Sequence, residues 1–279
     1  MSPASAGLEV PRKALPSHKL RLILLSAVGT LCVFCLLFWF LDLSPSSFVV
    51  DFRFVAEFIQ DIFPPNFSLY WTKDTLLFSL VETLSMAFLA TVCGGALSLL
   101  LAILAASNTM PQPLFRLVVR SLLAVNRSIP NLVIILVLLA VVGIGPFAGV
   151  LALIFGSVGM FARLFADAIE HADRGTMESV ESLGGTRLQT IRFGLLPQIM
   201  PSLIANLFYS FDYNLRAAIP LGVFGGGGIG FELQFANGML NYKDVIAYTI
   251  LIIAMITVME RLSDWVRRRI LTQPAYAAK

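Results

Sequence analysis

The sequence predicts an all-α integral membrane protein of about six transmembrane helices, with both termini in the cytoplasm. Three observations predict it. The 279-residue chain is 57% hydrophobic and only 13% charged, with a mean hydropathy of +0.83. A soluble globular domain carries about 25% charged residues, so this chain lacks the polar material for a water-facing surface. Its apolar residues come in runs of about the 20 positions that cross a bilayer as a helix. Its basic residues are asymmetric. With the N-terminus inside, the cytoplasmic segments and span ends hold 16 of the 20 Lys and Arg. These are Arg12, Lys13, Lys19, Arg21, Arg116, Arg120, Arg127, Arg163, Arg174, Arg187, Arg192, Arg261, Arg267, Arg268, Arg269 and Lys279. Arg53, Lys73 and Lys243 fall outside, and Arg216 lies within a span. Such a bias orients a membrane protein. A net charge of +3 is too small to point to nucleic acid.

Residues 1–20 read as a cytoplasmic tail and 21–43 as the first membrane helix. The charge-free run LILLSAVGTLCVFCLLFWFL (22–41) exceeds the roughly 7–15 residues of a signal core, so it reads as a retained anchor. Cys32 and Cys35 have CxxC spacing but sit inside this run, where thiolates are disfavoured. They and Cys93 read as small apolar filler. Residues 44–74 form a periplasmic connector. Its aromatic and acidic stretch, 43–71, reads either as a segment along the outer interface or as a plain link.

The main multi-span membrane core is expected over 75–270. A span covers 75–106, interrupted only by Glu82, and SNTMPQPLFR then turns the chain. No charge occurs between Ser128 and Ala162, a stretch too long for one helix in a roughly 30 Å hydrocarbon core. GIGP at 143–146 breaks it, giving spans at 117–142 and 147–167. Further spans follow at 199–222 and 245–260, with a tail at 271–279.

Between two of these spans lies a polar cytoplasmic loop, 168–197, containing ESVESLGGTRLQTIRFGLLPQ. Glu178–Leu183 reads as a short helix, Gly184 and Gly185 as a tight turn, and Thr186 as the N-cap of a second helix. Leu188, Ile191 and Leu195 would share one face of that helix. Pro197 marks the entry to the next span. Such an element presents side chains to a partner and is too short to be a domain. The alternative is a solvated connector.

At these residues the sequence resembles the permease subunit of bacterial ABC importers, whose loop signature is E-A-A, three residues, Gly, nine residues, then I-x-L-P. Glu178, Ser179 and Val180 stand where E-A-A would be. Gly184 follows at the right spacing and Leu196-Pro197 close the motif, with Gly194 in place of the Ile. Glu181 and Gly185 belong to the same loop. VGIGPFAGVLAL (142–153), LLPQIMPSLIANLFYSFDYNLRAAIPLG (195–222) and VFGGGGIGFEL (223–233) are similar to the phosphonate-importer branch. The resemblance implies a type I ABC importer permease fold, paired with a second copy in the lipid bilayer. It implies a periplasmic binding protein that delivers phosphonate, phosphite or a related oxyanion, and two cytoplasmic ATPase subunits that dock on the 178–197 coupling loop. ATP and Mg would act at those ATPases, and no cofactor would be bound by this chain. Another importer branch, for methionine or another small solute, and an ion-driven secondary transporter are the alternatives.

Asp212 and Arg216 are four residues apart within a span and can pair on one helix face. Either Arg216 helps an oxyanion through, with Asp212 orienting it, or the pair fixes helix packing. Tyr209, Tyr213 and Asn214 make that helix the first candidate for the translocation path, and Glu82, near the outer end of its span, would be served by water or by a partner such as Asn214 or Tyr213. FGGGGIG lacks the Lys and the strand context of a nucleotide loop. Gly225, Gly226, Gly227, Gly228 and Gly230 read instead as an outer turn near a gate, or as a flexible loop. With only His18 and His171 and no acid cluster, the chain is expected to be non-catalytic, with no metal site.

Overall fold

The computed structural model describes residues 17–41, 52–72 and 74–271. The expected tails at 1–16 and 272–279, and residues 42–51 of the connector, lie outside the described residues. The chain divides into two compact units between Ile59 and Gln60. In the first unit, helix α1 (Ser17–Phe40) is apolar all round, as a lipid-facing span must be. Helix α2 (Phe52–Ile62), which crosses into the second unit, puts Phe54, Val55, Phe58 and Ile59 on one face and Arg53, Glu57 and Asp61 on the other.

The second unit continues with α3 (Leu69–Thr72), α4 (Asp74–Ala105), α5 (Pro113–Ser128), α6 (Asn131–Val142), α7 (Pro146–Glu170), α8 (Arg174–Ser182) and α9 (Arg187–Gln189). A π-helical turn, Thr190–Leu195, leads into α10 (Leu196–Leu221). A second π-helical turn, Gly222–Gly226, precedes α11 (Gly228–Gly238) and α12 (Tyr242–Leu271). Among the described residues, five helical segments are long and apolar enough to cross a membrane, and the bent pair α5–α6, taken as one broken span, supplies a sixth.

The core is built on α4 and α7. Ala87, Ala90, Gly94, Ser98 and Ala102 recur every three or four residues on α4, and their small size lets the two backbones approach. Gly94 is so close to α7 that a Cβ there would lie 3.1 Å from Ser157 Oγ. Phe161, Phe165 and Ile169 of α7 fill the space toward Leu195 of the π-helical turn and Ile199 and Leu203 of α10.

Three expectations need correction. The span placed at 117–142 is two helices, α5 and α6, bent by 88°. Pro130 causes this: it supplies no N–H, and it disfavours the helical conformation at Ile129, which is extended at φ −90° and ψ 119°. The last span runs from Tyr242 to Leu271, beyond 245–260 at both ends. The glycine-rich segment is followed by a helix, α11, packed against α12, α4 and α10.

Candidate functional site: a cytoplasmic helical hairpin and a broken membrane helix

The cytoplasmic element folds as a helix, a glycine turn and a second helix. Asp173 caps α8: its carboxylate accepts from the Gly175 N–H at 3.2 Å and the Thr176 hydroxyl at 3.0 Å. At the other end, Gly184 has φ +80° and its N–H reaches Glu181 O at 2.9 Å. A Cβ on Gly185 would stand 2.7 Å from Val180 O, so both glycines are required by the turn. Thr186 begins the second helix as expected, and its N–H and hydroxyl both donate to Gln189 Oε1, at 2.7 and 3.0 Å. Gly194 lies under α8, where a Cβ would be 3.3 Å from Met177 Cα. Arg187 donates to Thr109 O, tying the element to the α4–α5 turn.

The expected apolar face is only partly right. Leu195 is buried and Ile191 half-buried, but Leu188 points away, because the π turn adds a residue between them. Leu183, Leu188 and Phe193 are 89%, 76% and 61% exposed, flanked by the exposed charges of Arg174, Glu178 and Glu181. Ser179 and Ser182 turn their hydroxyls back to Gly175 O and Glu178 O, while Leu196 and Pro197 open α10.

The intramembrane charges are arranged differently from the expectation. Asp212 and Arg216 do not pair with each other; both reach across to α12. Arg216 meets Glu260 at 3.0 Å, and Asp212 accepts from the Ser263 hydroxyl at 2.8 Å. Glu82 bonds neither Asn214 nor Tyr213. Its Oε2 accepts the Gly228 N–H at 2.8 Å, and Thr83 Oγ1 accepts the Ile229 N–H at 2.8 Å. Two α4 side chains thus cap α11. Asn214 is fully buried and donates to Thr91 Oγ1 at 3.0 Å, while its Oδ1 has no hydrogen-bond partner among the described residues.

The glycines after α10 are packed rather than loose. Gly145 N–H donates to Gly225 O at 3.0 Å, and a Cβ on Gly149 would lie 2.4 Å from Gly226 O. Gly227 and Gly228, with φ of +82° and +70°, turn the chain against Pro146 and Thr83. A Cβ on Gly230 would fall 2.1 Å from Ile219 O.

Sequence reasoning missed the elbow between α5 and α6. It is seated on two glycines of α7. A Cβ on Gly156 would overlap Asn131 Oδ1, and Gly159 N–H donates to Asn126 Oδ1 at 3.0 Å. Gly156 lies 10 residues below the outer start of α7, or about 15 Å at 1.5 Å per residue, which is near mid-depth. Arg127, expected at the cytoplasmic surface, therefore stands at the elbow. An open cavity of about 620 Å³ lies there, lined by Arg127, Ile129, Asn131, Met160, Tyr213 and Ala217 among others. Asn131 Nδ2 donates to the Tyr213 hydroxyl at 3.3 Å. The signal in the sequence was RSIPN, a basic residue three positions before a proline within an apolar stretch.

The family described as "Binding-protein-dependent transport system inner membrane component" matches residues 98–272. The phosphite transport system permease protein PtxC of Stutzerimonas stutzeri is 38% identical over 216 residues, covering 77% of each chain. The phosphate-import permease protein PhnE of Mycolicibacterium smegmatis is 39% identical over 207 residues, covering 74% of this chain and 38% of its own length. Among solved structures, the inward-facing MetNI methionine ABC transporter aligns with a TM-score of 0.62 at 22% identity, over 74% of this chain and 99% of the other. The shared fold is that of type I ABC importer permeases.

Proposed function

We infer the function of this chain from its family, since it belongs to the binding-protein-dependent transport system inner membrane components. It is a multi-pass transport subunit of the bacterial inner membrane. We propose that its cargo is a tetrahedral phosphorus oxyanion: phosphite, phosphate or a phosphonate. The likeness to PtxC over 77% of both chains carries that reading.

In this reading two copies of the chain enclose one pathway. A periplasmic binding protein delivers the oxyanion at the outer face, where the packed glycines Gly225–Gly230 shape the entrance. Two cytoplasmic ATPases grip the cytoplasmic hairpin through Leu183, Leu188 and Phe193, apolar groups largely exposed among the described residues. ATP and Mg act in those partners, and this chain supplies no catalytic group. Closure of the ATPases draws the two hairpins together. The rigid attachment of each hairpin to α10 and to the α4–α5 turn passes that movement to the spans.

The test is purification of the tagged chain from its host, with Gly184→Asp as comparison, followed by binding of phosphite, phosphate and methylphosphonate to the co-purified binding protein. An ATPase that co-purifies with the wild type and is lost with Gly184→Asp supports the coupling role. A clean chain without ATPase, or a binding protein that ignores all three oxyanions, overturns the corresponding part of the reading.

A further inference from the structure

We propose that the elbow cavity is an oxyanion-binding station within the transport path, where Arg127 neutralises a tetrahedral phosphorus oxyanion and Tyr213 and Asn131 orient it. This rests on the permease reading above and adds Arg127 and Asn131, which the sequence does not single out, to Tyr213, which it does.

The first observation is a contrast among arginines. Of the three arginines that line the two neighbouring cavities, Arg120 meets Glu170 and Arg163 meets Asp167. Arg127, among the described residues, has no carboxylate within ion-pair distance, although it packs against Gly159, about 20 Å below the outer start of α7 and within a roughly 30 Å hydrocarbon core. A guanidinium without a counter-charge in the membrane is costly and marks an ion pathway. Its planar fork of donors suits an oxyanion with several equivalent oxygens.

The second observation is the donor balance. The Tyr213 hydroxyl already accepts a hydrogen bond from Asn131, so its own proton is free to donate. Asn131 keeps a second amide hydrogen, while its oxygen is directed at Gly156. No Asp or Glu lines the cavity. It therefore offers one cation and several donors, and nothing to balance an ammonium group. An amino-acid cargo fits this chemistry poorly, whereas a phosphorus oxyanion fits it well.

The third observation is position. A smaller cavity of about 260 Å³, lined by Arg120, Arg163, Asp167 and Gly159 among others, lies on the other side of Arg127. Arg127 lines both cavities. It thus stands between the elbow cavity and a second compartment nearer the cytoplasm, where Arg120 and Arg163 are each already met by a carboxylate, so Arg127 is the cation left to face an anion at the elbow.

The test is uptake of radiolabelled inorganic phosphite and phosphate by the assembled transporter, with its ATPase and binding protein, in proteoliposomes. Arg127→Gln and the isosteric Asn131→Asp are expected to lower uptake at subsaturating anion by about tenfold or more, the scale of one charge-assisted contact. Tyr213→Phe is expected to lower it by about two- to fivefold, and Arg127→Lys to recover part of what Arg127→Gln loses. A wild type that carries phosphite, with Arg127→Gln and Asn131→Asp equally active, overturns the station and leaves the permease reading intact. A wild type that carries neither anion overturns that reading first. Should Arg127→Gln fail to assemble, Arg127→Lys and Tyr213→Phe decide: wild-type half-saturation in both overturns the station.

Discussion

Gln198 and Asp173 hold each other by a reciprocal pair of hydrogen bonds: Asp173 N–H donates to Gln198 Oε1 at 3.0 Å, and Gln198 Nε2 donates to Asp173 O at 3.3 Å. The same Nε2 reaches Gly194 O at 2.6 Å. Gln198 is the residue after Pro197, at the mouth of α10, and Asp173 is the cap of α8. One side chain therefore fastens the start of the cytoplasmic hairpin to the start of a membrane span. A push on α8 reaches α10 without first bending the chain between them.

Gln198→Leu keeps the bulk and removes all three bonds. The two bonds to Asp173 lie at the surface and the one to Gly194 is part-buried, so the loss in stability is expected at about 1–2 kcal/mol in total. The larger effect is expected in coupling. The variant should still co-purify with its ATPase, while substrate carried per ATP hydrolysed falls several-fold. Measuring both rates in the same proteoliposomes checks this, and an unchanged ratio counts against a transmitting role for Gln198.

Arg216 and Glu260 join α10 to α12 with side chains about half exposed in the single chain, 53% and 49%. Within a membrane neither charge is well placed alone. Glu260→Gln is expected to destabilise the protein by about 2–3 kcal/mol, the cost of one unpaired charge in a span. The double variant Arg216→Gln, Glu260→Gln should recover most of that, because it removes both charges together. Thermal unfolding in detergent of the two single variants and the double variant completes the cycle. Additive losses would mean that the two residues act separately.

Local chemistry was legible in the sequence and long-range pairing was not. The hairpin could be read because its signals are contiguous: an acid-rich first helix, Gly184-Gly185, then Thr186 three residues before Gln189. The orientation of the spans followed from where the arginines fall. The elbow was missed because an apolar run scores as one span whether or not it is straight, and Pro130 was overlooked inside it. The partner of Arg216 was missed for a different reason. Helical spacing brings Asp212 within reach, but α12 presents Glu260 and Ser263 to the same two residues, and no spacing rule within one helix can see that. Gly194 shows the same limit. It departs from the importer signature, and its reason, the close passage of Met177 above it, appears only once α8 is in place.

Glu82 was expected to look for a polar partner on α10, and it caps α11 instead. The start of a helix leaves N–H groups without partners, and within a membrane these are expensive to leave bare. Gly228 and Ile229 carry two of them, and α4 answers with Glu82 and Thr83. The carboxylate also sits where the helix dipole favours negative charge. Glu82→Gln retains an acceptor and should cost about 0.5–1 kcal/mol, whereas Thr83→Val removes a buried acceptor and should cost about 1–2 kcal/mol. Because α11 packs on α12, α4 and α10, the damage should appear first as faster hydrogen exchange in 228–238, with the hairpin at 174–195 unaffected. Exchange measured by mass spectrometry on the detergent-solubilised protein resolves the two segments. Equal protection of α11 in both variants and the wild type would show that its glycine packing alone holds it.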